Sequence, residues 1–285
     1  MFAALLLMVG VSIVLLMLSK NRYKDLFQVI DEKQYPYKVF LPAGLLILDF
    51  LGYKYSGRYD RKLLSKVSEL YGPRNARIYL KVHYASKIVL ILLTLTLICF
   101  FGIFIKPDIT FALFGFCLIC AVFLLSDREL DKRIKKRRFL IRMGFPDFLN
   151  KLTLLINAGM IVSKAWEKAA VSTPQGPLRE ELNNTLADIK IGKPERRALE
   201  DFAKRCKTPE ITRSVSIIIQ NLRKGGFQIV SLLRLHTNEC WEMRKNAARK
   251  YGEEASTKML LPLTLMFLAI LIIVAAPAVL SMRDM

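Results

Sequence analysis

Two uncharged runs lie close together in the chain: IVLILLTLTLICFFGIFI (Ile88–Ile105) and ITFALFGFCLICAVFLLS (Ile109–Ser126), each 18 residues long. A helix of that length rises about 1.5 Å per residue, so it is just long enough to cross a hydrocarbon core of about 30 Å. Only Lys106-Pro107-Asp108 separates the runs. The pattern therefore predicts a tight hairpin of two membrane spans.

A further span is predicted at the start of the chain, where Phe2–Leu18 carries no charged residue. A cleaved signal peptide is the competing interpretation. It would begin with basic residues and end at a small-residue cleavage site, whereas this run has no basic residue before it and is followed by Ser19-Lys20-Asn21-Arg22. We therefore favour an uncleaved span.

A fourth span is predicted at Met259–Met282, which contains Pro262 and Pro277. Val39–Leu51 is a shorter apolar stretch and includes Asp49. A stretch of that length is more often interfacial or buried than spanning, so it predicts a partly membrane-associated helix.

The basic residues lie outside the apolar runs. The net charge of the 285-residue chain is +20, and 53% of its residues are hydrophobic. Of the 44 Lys and Arg residues, 42 fall in Ser19–Lys87, with 14 basic and 6 acidic residues, or in Asp127–Lys258, with 28 and 16. The positive-inside rule places both segments in the cytoplasm and, with four spans, both termini outside.

The strongest basic run follows the third span. It comprises Lys132, Arg133, Lys135, Lys136, Arg137 and Arg138. These are candidate partner- or lipid-docking residues, because each charge near an anionic bilayer contributes about 1 kcal/mol of attraction. Docking to an acidic protein is the second interpretation. Nucleic-acid binding is disfavoured, because the aromatic residues lie in the apolar runs and no recognition fold is visible.

The segment from Gly144 to Lys258 predicts about six short helices. Proline, glycine and the apolar spacing place their starts near Pro146, Val162, Pro177, Pro194, Pro209 and Phe227. No stretch shows the sustained alternation of apolar and polar residues that is typical of a β-strand. The predicted fold is all-α, with about four transmembrane helices and a cytoplasmic bundle of about six. Its segments are 1–18, 19–87 with an interfacial helix at 39–51, 88–126, 127–258 and 259–282.

No motif for catalysis is found. Gly192-Lys193 is followed by Pro194, not Ser or Thr, so it is not a phosphate-binding loop. The pair Cys117-x-x-Cys120 lies inside a span, where helix packing is favoured over redox chemistry. The only histidines are His83 and His236, which do not form a metal motif. We expect no enzyme activity, cofactor or metal.

An ordered series of short motifs runs from Phe145 to Pro277. Its positions are Phe145, Pro146, Leu149, Gly159, Ala165, Gly176, Pro177, Gly192, Gly225, Pro262 and Pro277. In this order they resemble the F domain of the type II secretion system F family. That family includes the inner-membrane platform proteins of type II secretion systems, type IV pili and Tad (Flp) pili. A single such domain is most similar to the Tad-type subfamily.

The resemblance implies a platform or scaffold in the cytoplasmic membrane of a bacterium or archaeon. Its implied partners are a hexameric secretion ATPase, pilin-like subunits and a second platform subunit or a second copy. Anionic lipid is a further expected partner, and nucleic acid is not. A small transporter or channel remains an alternative, although it would be expected to carry more polar residues inside its spans. A lipid-modifying enzyme is a third interpretation, with Asp49, His83 and Glu253 as its candidate residues.

Overall fold

The computed structural model describes residues 40–50, 57–104, 109–221 and 226–283, together with a few single residues. These are Gly10, Val14, Met17, Ser19, Gly52 and Tyr55. Most of the predicted first span, residues 20–39 of the first basic segment, the turn at 106–108, Gly225 and both chain ends lie outside the described residues.

Where described, residues 40–283 form eight helices and no strand, as expected for an all-α fold. They are α1 Leu41–Phe50, α2 Arg58–Phe104, α3 Ile109–Asn157, α4 Val162–Val171, α5 Pro177–Lys190, α6 Glu195–Cys206, α7 Pro209–Asn221 and α8 Gly226–Arg283. The chain divides into two compact units, which we call the first unit (residues 1–137) and the second unit (residues 138–285).

In the first unit, α1 packs closely against α2. Leu41, Leu45 and Leu48 are buried against Val82 and Ala85. A Cβ atom built on Gly44 would lie 2.4 Å from the carbonyl oxygen of Ala85, so only glycine permits this approach. The helix predicted at 39–51 is therefore present, and one of its faces is covered by protein.

Helix α2 bends at Gly72, whose φ of 79° and ψ of 159° are not helical, and Pro73 follows. The bend brings both arms of α2 onto the middle of α3 in a second small core. Its buried residues are Leu63, Val67, Ala76, Tyr79, Leu80, Leu130 and Ile134. The amphipathic helix before Ile88 was not recognised in the sequence. Its apolar residues are separated by many lysines and arginines, which make their helical spacing hard to detect.

The second unit has a larger apolar core drawn from α3 to α8. Trp166 of α4 is 1% exposed and lies at its centre. Its ring meets Phe148 at 4.9 Å and Phe202 at 5.1 Å, both edge to face. Such aromatic pairs contribute about 0.5–1.5 kcal/mol each beyond the area that they bury.

The helix start predicted at Pro146 is wrong, because α3 runs unbroken from Ile109 to Asn157 with Pro146 inside it. Proline in a helix interior costs about 3 kcal/mol, since it lacks an N–H and crowds the preceding turn. Burial of Ile141, Phe145 and Phe148 on both sides of the proline, each at most 2% exposed, offsets that loss.

The predicted bundle of six short helices also changes. Four short helices, α4 to α7, are flanked by the end of α3 and the beginning of the 58-residue α8. The predicted starts at Val162, Pro177 and Pro209 are confirmed, and Pro194 caps a helix that begins at Glu195.

Three helices among the described residues are long and apolar enough to cross a membrane. They are Asn75–Ile103, Ile109–Asn157 and Ile229–Ala276. Ile109–Asn157 contains the whole predicted run Ile109–Ser126, and the other two contain most of the runs Ile88–Ile105 and Met259–Met282. The most apolar part of α8 differs from the others, since none of it is buried against the rest of the protein.

Candidate functional site

The described residues contain no group of three or more His, Cys, Asp or Glu placed to hold a metal ion. The candidate sites are therefore surfaces and buried polar contacts. The residues of interest are the basic run of α3, a buried lysine beside it, and the motif positions of the second unit.

The basic run, residues 132–138, forms about two turns of α3, with a buried side and an exposed side. Leu130 and Ile134 face the small core, while Lys132, Lys135 and Lys136 are exposed. At about 100° per residue, these three lysines lie within an arc of about 100°. Arg133 is drawn to Glu129, with 2.8 Å between them. The exposed lysines are thus the part of the basic run that a ligand could reach. The predicted role of the run in binding lipid or a protein partner stays a prediction.

The same face of α3 is apolar on its N-terminal side. Leu125, 56% exposed, lies seven residues before Lys132 and so almost directly in line with it. Side chains on a helix lean toward its N-terminus. The lysine ammonium groups therefore lean toward the apolar run, which is where lipid headgroups would lie.

A buried ion pair lies at the junction between the hairpin runs and the small core. The Nζ of Lys87, in α2, is 2.6 Å from a carboxylate oxygen of Asp127, in α3, and the lysine side chain is only 3% exposed. Lys87 also donates to the hydroxyl of Tyr59 at 2.7 Å, and Tyr59 donates to the second Asp127 oxygen at 2.5 Å. The aspartate thus joins both arms of α2 to α3.

Aromatic rings surround the Lys87 ammonium. Its Nζ lies 4.4 Å from the ring centre of Phe123, 5.2 Å from that of Tyr59 and 5.8 Å from that of Tyr84. Cation–π attraction of this kind strengthens when water is excluded. His83, 7% exposed by its side chain, completes the set at 3.3 Å from Asp127. Sequence reasoning missed this pairing, although both charged residues directly border apolar runs.

The three residues suggested for lipid chemistry have different surroundings. His83 belongs to the Lys87–Asp127 cluster. Asp49 lies near the end of α1, and Glu253 is exposed on α8 in the second unit.

The apolar motif positions of the second unit serve its core. Phe145, Leu149 and Ala165 are all at most 2% exposed. Pro177 is the first residue of α5, after Gly176. Pro262 lies within α8, and so does Pro277, whose side-chain surroundings are not described. Phe145, Leu149, Ala165 and Pro177 are thus explained by folding, and nothing in the described part of the chain assigns them a chemical role.

Two of the motif glycines end helices in the same way. Gly159 has φ +86° and Gly192 has φ +93°, a conformation that L side chains rarely adopt. After α3, the amide of Met160 bonds to the carbonyl of Leu155 and that of Gly159 to Ile156. After α5, Lys193 bonds to Asp188 and Gly192 to Ile189. Both are Schellman endings, in which glycine lets the last carbonyls of the helix find donors.

Lys193 also ties the turn after α5 to α6. Its Nζ lies 2.7 Å from Asp201 and 3.1 Å from Asp188. The hydrogen bond from Lys193 lowers the pKa of Asp201, and the same bond raises the pKa of Lys193. The Gly192-Lys193-Pro194 motif is therefore a structural clamp in this fold.

The C-terminal part of α3 and the N-terminal half of α8 run antiparallel in the second unit. Phe139 meets Tyr251 with ring centres 4.9 Å apart, and Asp147 accepts from Arg244 at 2.8 Å. Deeper in the same unit, the buried Glu210 is neutralised by Arg142 at 2.5 Å. Cys240 is 3% exposed beside His236, so its thiol is sheltered from solution.

The part of the chain that contains this bundle and most of α8 matches a known family. Residues 148–277 match the family model described as Type II secretion system (T2SS), protein F. No curated protein and no solved structure matches the chain. A T2SS protein F domain points to an inner-membrane platform protein of secretion or pilus machinery. The three apolar helices fit that location.

Proposed function

We propose that this chain is a platform subunit that couples a cytoplasmic secretion ATPase to the assembly of pilin-like subunits, as a Tad-type member would. The observation that carries the proposal is the T2SS protein F domain at residues 148–277, joined in one chain to helices apolar enough to span a membrane. The helical bundle offers a surface to a cytoplasmic motor, and the spans offer surfaces to pilin helices.

The unburied apolar part of α8 supports a role in contacts within the membrane. Its residues 259–274 are all exposed. In a bilayer such a helix is covered either by lipid or by other transmembrane helices. A second platform subunit, a second copy and a pilin-like helix are the partners that this proposal names.

Affinity purification tests the platform proposal. The tagged full-length chain would be cross-linked in its own cells and purified in detergent. We expect a hexameric ATPase and pilin-like membrane proteins to co-purify. Recovery of neither partner with a correctly inserted chain would refute the proposal. Substrate flux through proteoliposomes of the purified chain would instead support the transporter alternative.

The exposed lysine face of α3 is proposed to hold anionic lipid headgroups, which would fix how deeply the helix enters the bilayer. Its charge, its lean toward the apolar run and the exposed Leu125 in line with it support this role. Native mass spectrometry would count the phosphatidylglycerol molecules retained by the full chain. Replacing Lys132, Lys135 and Lys136 by glutamine should reduce that number.

A matched control replaces three exposed lysines of the second unit, Lys168, Lys204 and Lys245, by glutamine. This triple variant loses the same charge and should retain lipid as the wild type does. Equal lipid loss in both triple variants would reject a specific role for the α3 face. Normal lipid retention with impaired ATPase binding in the α3 variant would assign the face to the protein partner instead.

A further inference from the structure

His236 lies near the beginning of α8 and is almost fully buried, with 3% of its side chain exposed. Its Nε2 atom is 3.0 Å from the backbone carbonyl oxygen of Glu210, the second residue of α7. On the other side of the ring, Nδ1 is 3.0 Å from a carboxylate oxygen of Glu239, one turn further along α8. The imidazole therefore joins the first turn of α7 to α8 and uses both of its nitrogens.

Both oxygen atoms that face the ring are hydrogen-bond acceptors. A carbonyl oxygen has no proton to donate. The Glu239 carboxylate pairs with Arg213 of α7, 2.8 Å from the same oxygen that His236 contacts, and a carboxylate held in this way is ionised at neutral pH. A neutral imidazole has one N–H and would turn a lone pair toward one of the two acceptors, whereas an imidazolium donates to both. The surroundings of His236 thus fit the charged ring.

The acceptors are held in place by further contacts. The Glu210 carbonyl oxygen also accepts from the hydroxyl of Ser214, one turn later in α7, at 3.0 Å. The Sγ of Cys240 is 3.8 Å from Nε2, so it is a weaker partner for that nitrogen than the Glu210 carbonyl oxygen. If the ring loses a proton, one acceptor is left without its donor in a buried place, and that loss weakens the contact between the helices.

The charged groups around the ring form two pairs. Arg142 of α3 lies 2.5 Å from the carboxylate of Glu210, and Arg213 of α7 lies 2.8 Å from that of Glu239. The charges within each pair cancel, so the charge of the cluster changes with the ring of His236. Histidine is the side chain that ordinarily changes its charge between about pH 5 and pH 8.

The junction of α7 and α8 lies far from the apolar part of α8. His236 precedes Met259 by 23 residues, or about 34 Å of helix. The headgroup region adds only about 5–8 Å to each side of the hydrocarbon core. Helix α8 continues unbroken from His236 into its apolar part. A change at the ring therefore alters how the helical bundle holds a helix that is apolar enough to cross a membrane.

We infer that His236 is a proton-operated latch between α7 and α8. The charged ring holds the first turn of α7 on α8, and loss of one ring proton releases that turn. The latch is closed at lower pH and opens as the pH rises through the range in which the ring titrates, because only the charged ring donates to both acceptors. The attachment of the bundle to α8 then depends on the proton concentration around the bundle. The latch does not rest on the proposed platform function.

The charge of the ring can be measured directly, because His83 and His236 are the only histidines of the chain. The full-length protein with ¹⁵N-labelled histidine, in lipid nanodiscs, gives two sets of ring signals in nuclear magnetic resonance, and His83→Gln removes one of them. We expect both ring nitrogens of His236 to carry a proton at about pH 6 and one of them to lose it at alkaline pH. A neutral His236 ring at pH 6 would overturn the inference.

Hydrogen exchange measures the release of α7. The amides of residues 210–216 would be compared with those of α4 in the same unit, which corrects for the intrinsic pH dependence of exchange. Their relative exchange should rise about tenfold as the ring becomes neutral, as expected for the loss of one hydrogen bond to a charged group. His236→Gln, which is neutral at every pH, should show the faster exchange throughout. Relative exchange that stays constant while the ring titrates would refute the latch.

Two arginines provide a matched pair of variants that keep the ring in place. Arg213→Gln removes a competing cation from Glu239 and should move the opening of the latch to higher pH, by up to about one unit. Arg244→Gln removes the partner of Asp147, about 12 Å further along α8, and should leave the opening unchanged. Equal shifts in both variants, or no shift in Arg213→Gln, would show that the contacts of His236 do not set the pH dependence.

A change at Glu239 should act in the opposite direction. Glu239→Gln replaces the carboxylate at Nδ1 by a neutral amide, which stabilises the charged ring less. The latch should therefore open at lower pH than in the wild type, by the same nuclear magnetic resonance and exchange measurements. An opening that stays at the wild-type pH would contradict the assignment of Glu239 as the acceptor that holds the proton.

Discussion

In the first unit, a lysine buried among three aromatic rings pairs with a partly buried aspartate, whereas the centre of the second unit is a tryptophan between two phenylalanines. Both clusters join residues of different helices. The first depends on direction and charge, because Lys87, Tyr59 and Asp127 hydrogen-bond to each other. The second depends on shape and on apolar area.

This difference predicts how substitutions in each cluster affect the stability of its unit. An apolar core loses stability in proportion to the volume removed. A buried ion pair loses most when one partner is removed and the other is left uncompensated, and much less when both are replaced. The predictions below use that contrast, from the largest effect to the smallest.

The largest effect is expected from Trp166→Ala. Removing the side chain leaves a cavity between Phe148 and Phe202 and should lower the free energy of unfolding by about 3–5 kcal/mol. Thermal unfolding of the purified chain, followed by circular dichroism, measures it. Trp166→Phe is the control and should be milder, because it keeps an aromatic ring and removes a buried indole N–H that has no hydrogen-bond partner. Equal loss in both variants would argue against a cavity effect.

The ion pair is tested by Lys87→Met alone and combined with Asp127→Leu. The single change leaves the partly buried Asp127 carboxylate without its cation and should destabilise the first unit by about 1–3 kcal/mol. The double variant should recover most of that loss, to within about 1 kcal/mol of wild type. Hydrogen exchange of α2 and α3 amides locates the effect. A double variant as unstable as the single one would show that the rings and Tyr59, not the charge pair, carry the stability.

A smaller effect is expected at the turns of the second unit. Gly192→Ala places a Cβ on a residue with φ +93°, which should lower the free energy of unfolding by about 1–2 kcal/mol. Gly252→Ala is the opposite control, because Gly252 lies inside α8 with open space around it. There alanine should favour the helix by about 0.5–1 kcal/mol. Thermal midpoints of both variants give the comparison, and destabilisation by Gly252→Ala would contradict it.

The smallest effect concerns the Lys193 clamp. Since its bond to Lys193 lowers the pKa of Asp201, that contact stabilises the fold above the ordinary aspartate pKa and is lost as the pH falls through the lowered pKa. Asp201→Asn should therefore lower the thermal midpoint slightly at pH 7, and the difference from wild type should disappear as the pH falls through the lowered pKa of Asp201. A difference that persists in acid would show that the contact does not depend on charge.

Much of the second unit was predictable from its sequence. Helix starts at Val162, Pro177 and Pro209 were placed correctly, because proline lacks an N–H and favours a first turn. The endings at Gly159 and Gly192 were indicated by glycine, the residue that most easily adopts a left-handed conformation. The apolar runs were evident from length and missing charge alone.

Other features could not be predicted in that way. Pro146 seemed a helix start by the same local rule that worked elsewhere, but burial on both sides of it kept α3 continuous. The helix before Ile88 was hidden by its high charge, and its bend at Gly72 directs its two arms onto α3. In both places, contacts between distant residues outweighed local preference.

Local backbone chemistry and hydropathy were therefore enough to establish the helical class, three of the apolar helices and most helix ends, because each depends on neighbours along the chain. The partnership of Lys87 with Asp127, the continuity of α3 and the contacts between the turns that follow α3 and α5 were decided by the tertiary structure. They arise from packing and hydrogen bonds between residues tens of positions apart. A local sequence pattern does not indicate these interactions, because it reflects only residues that are close along the chain.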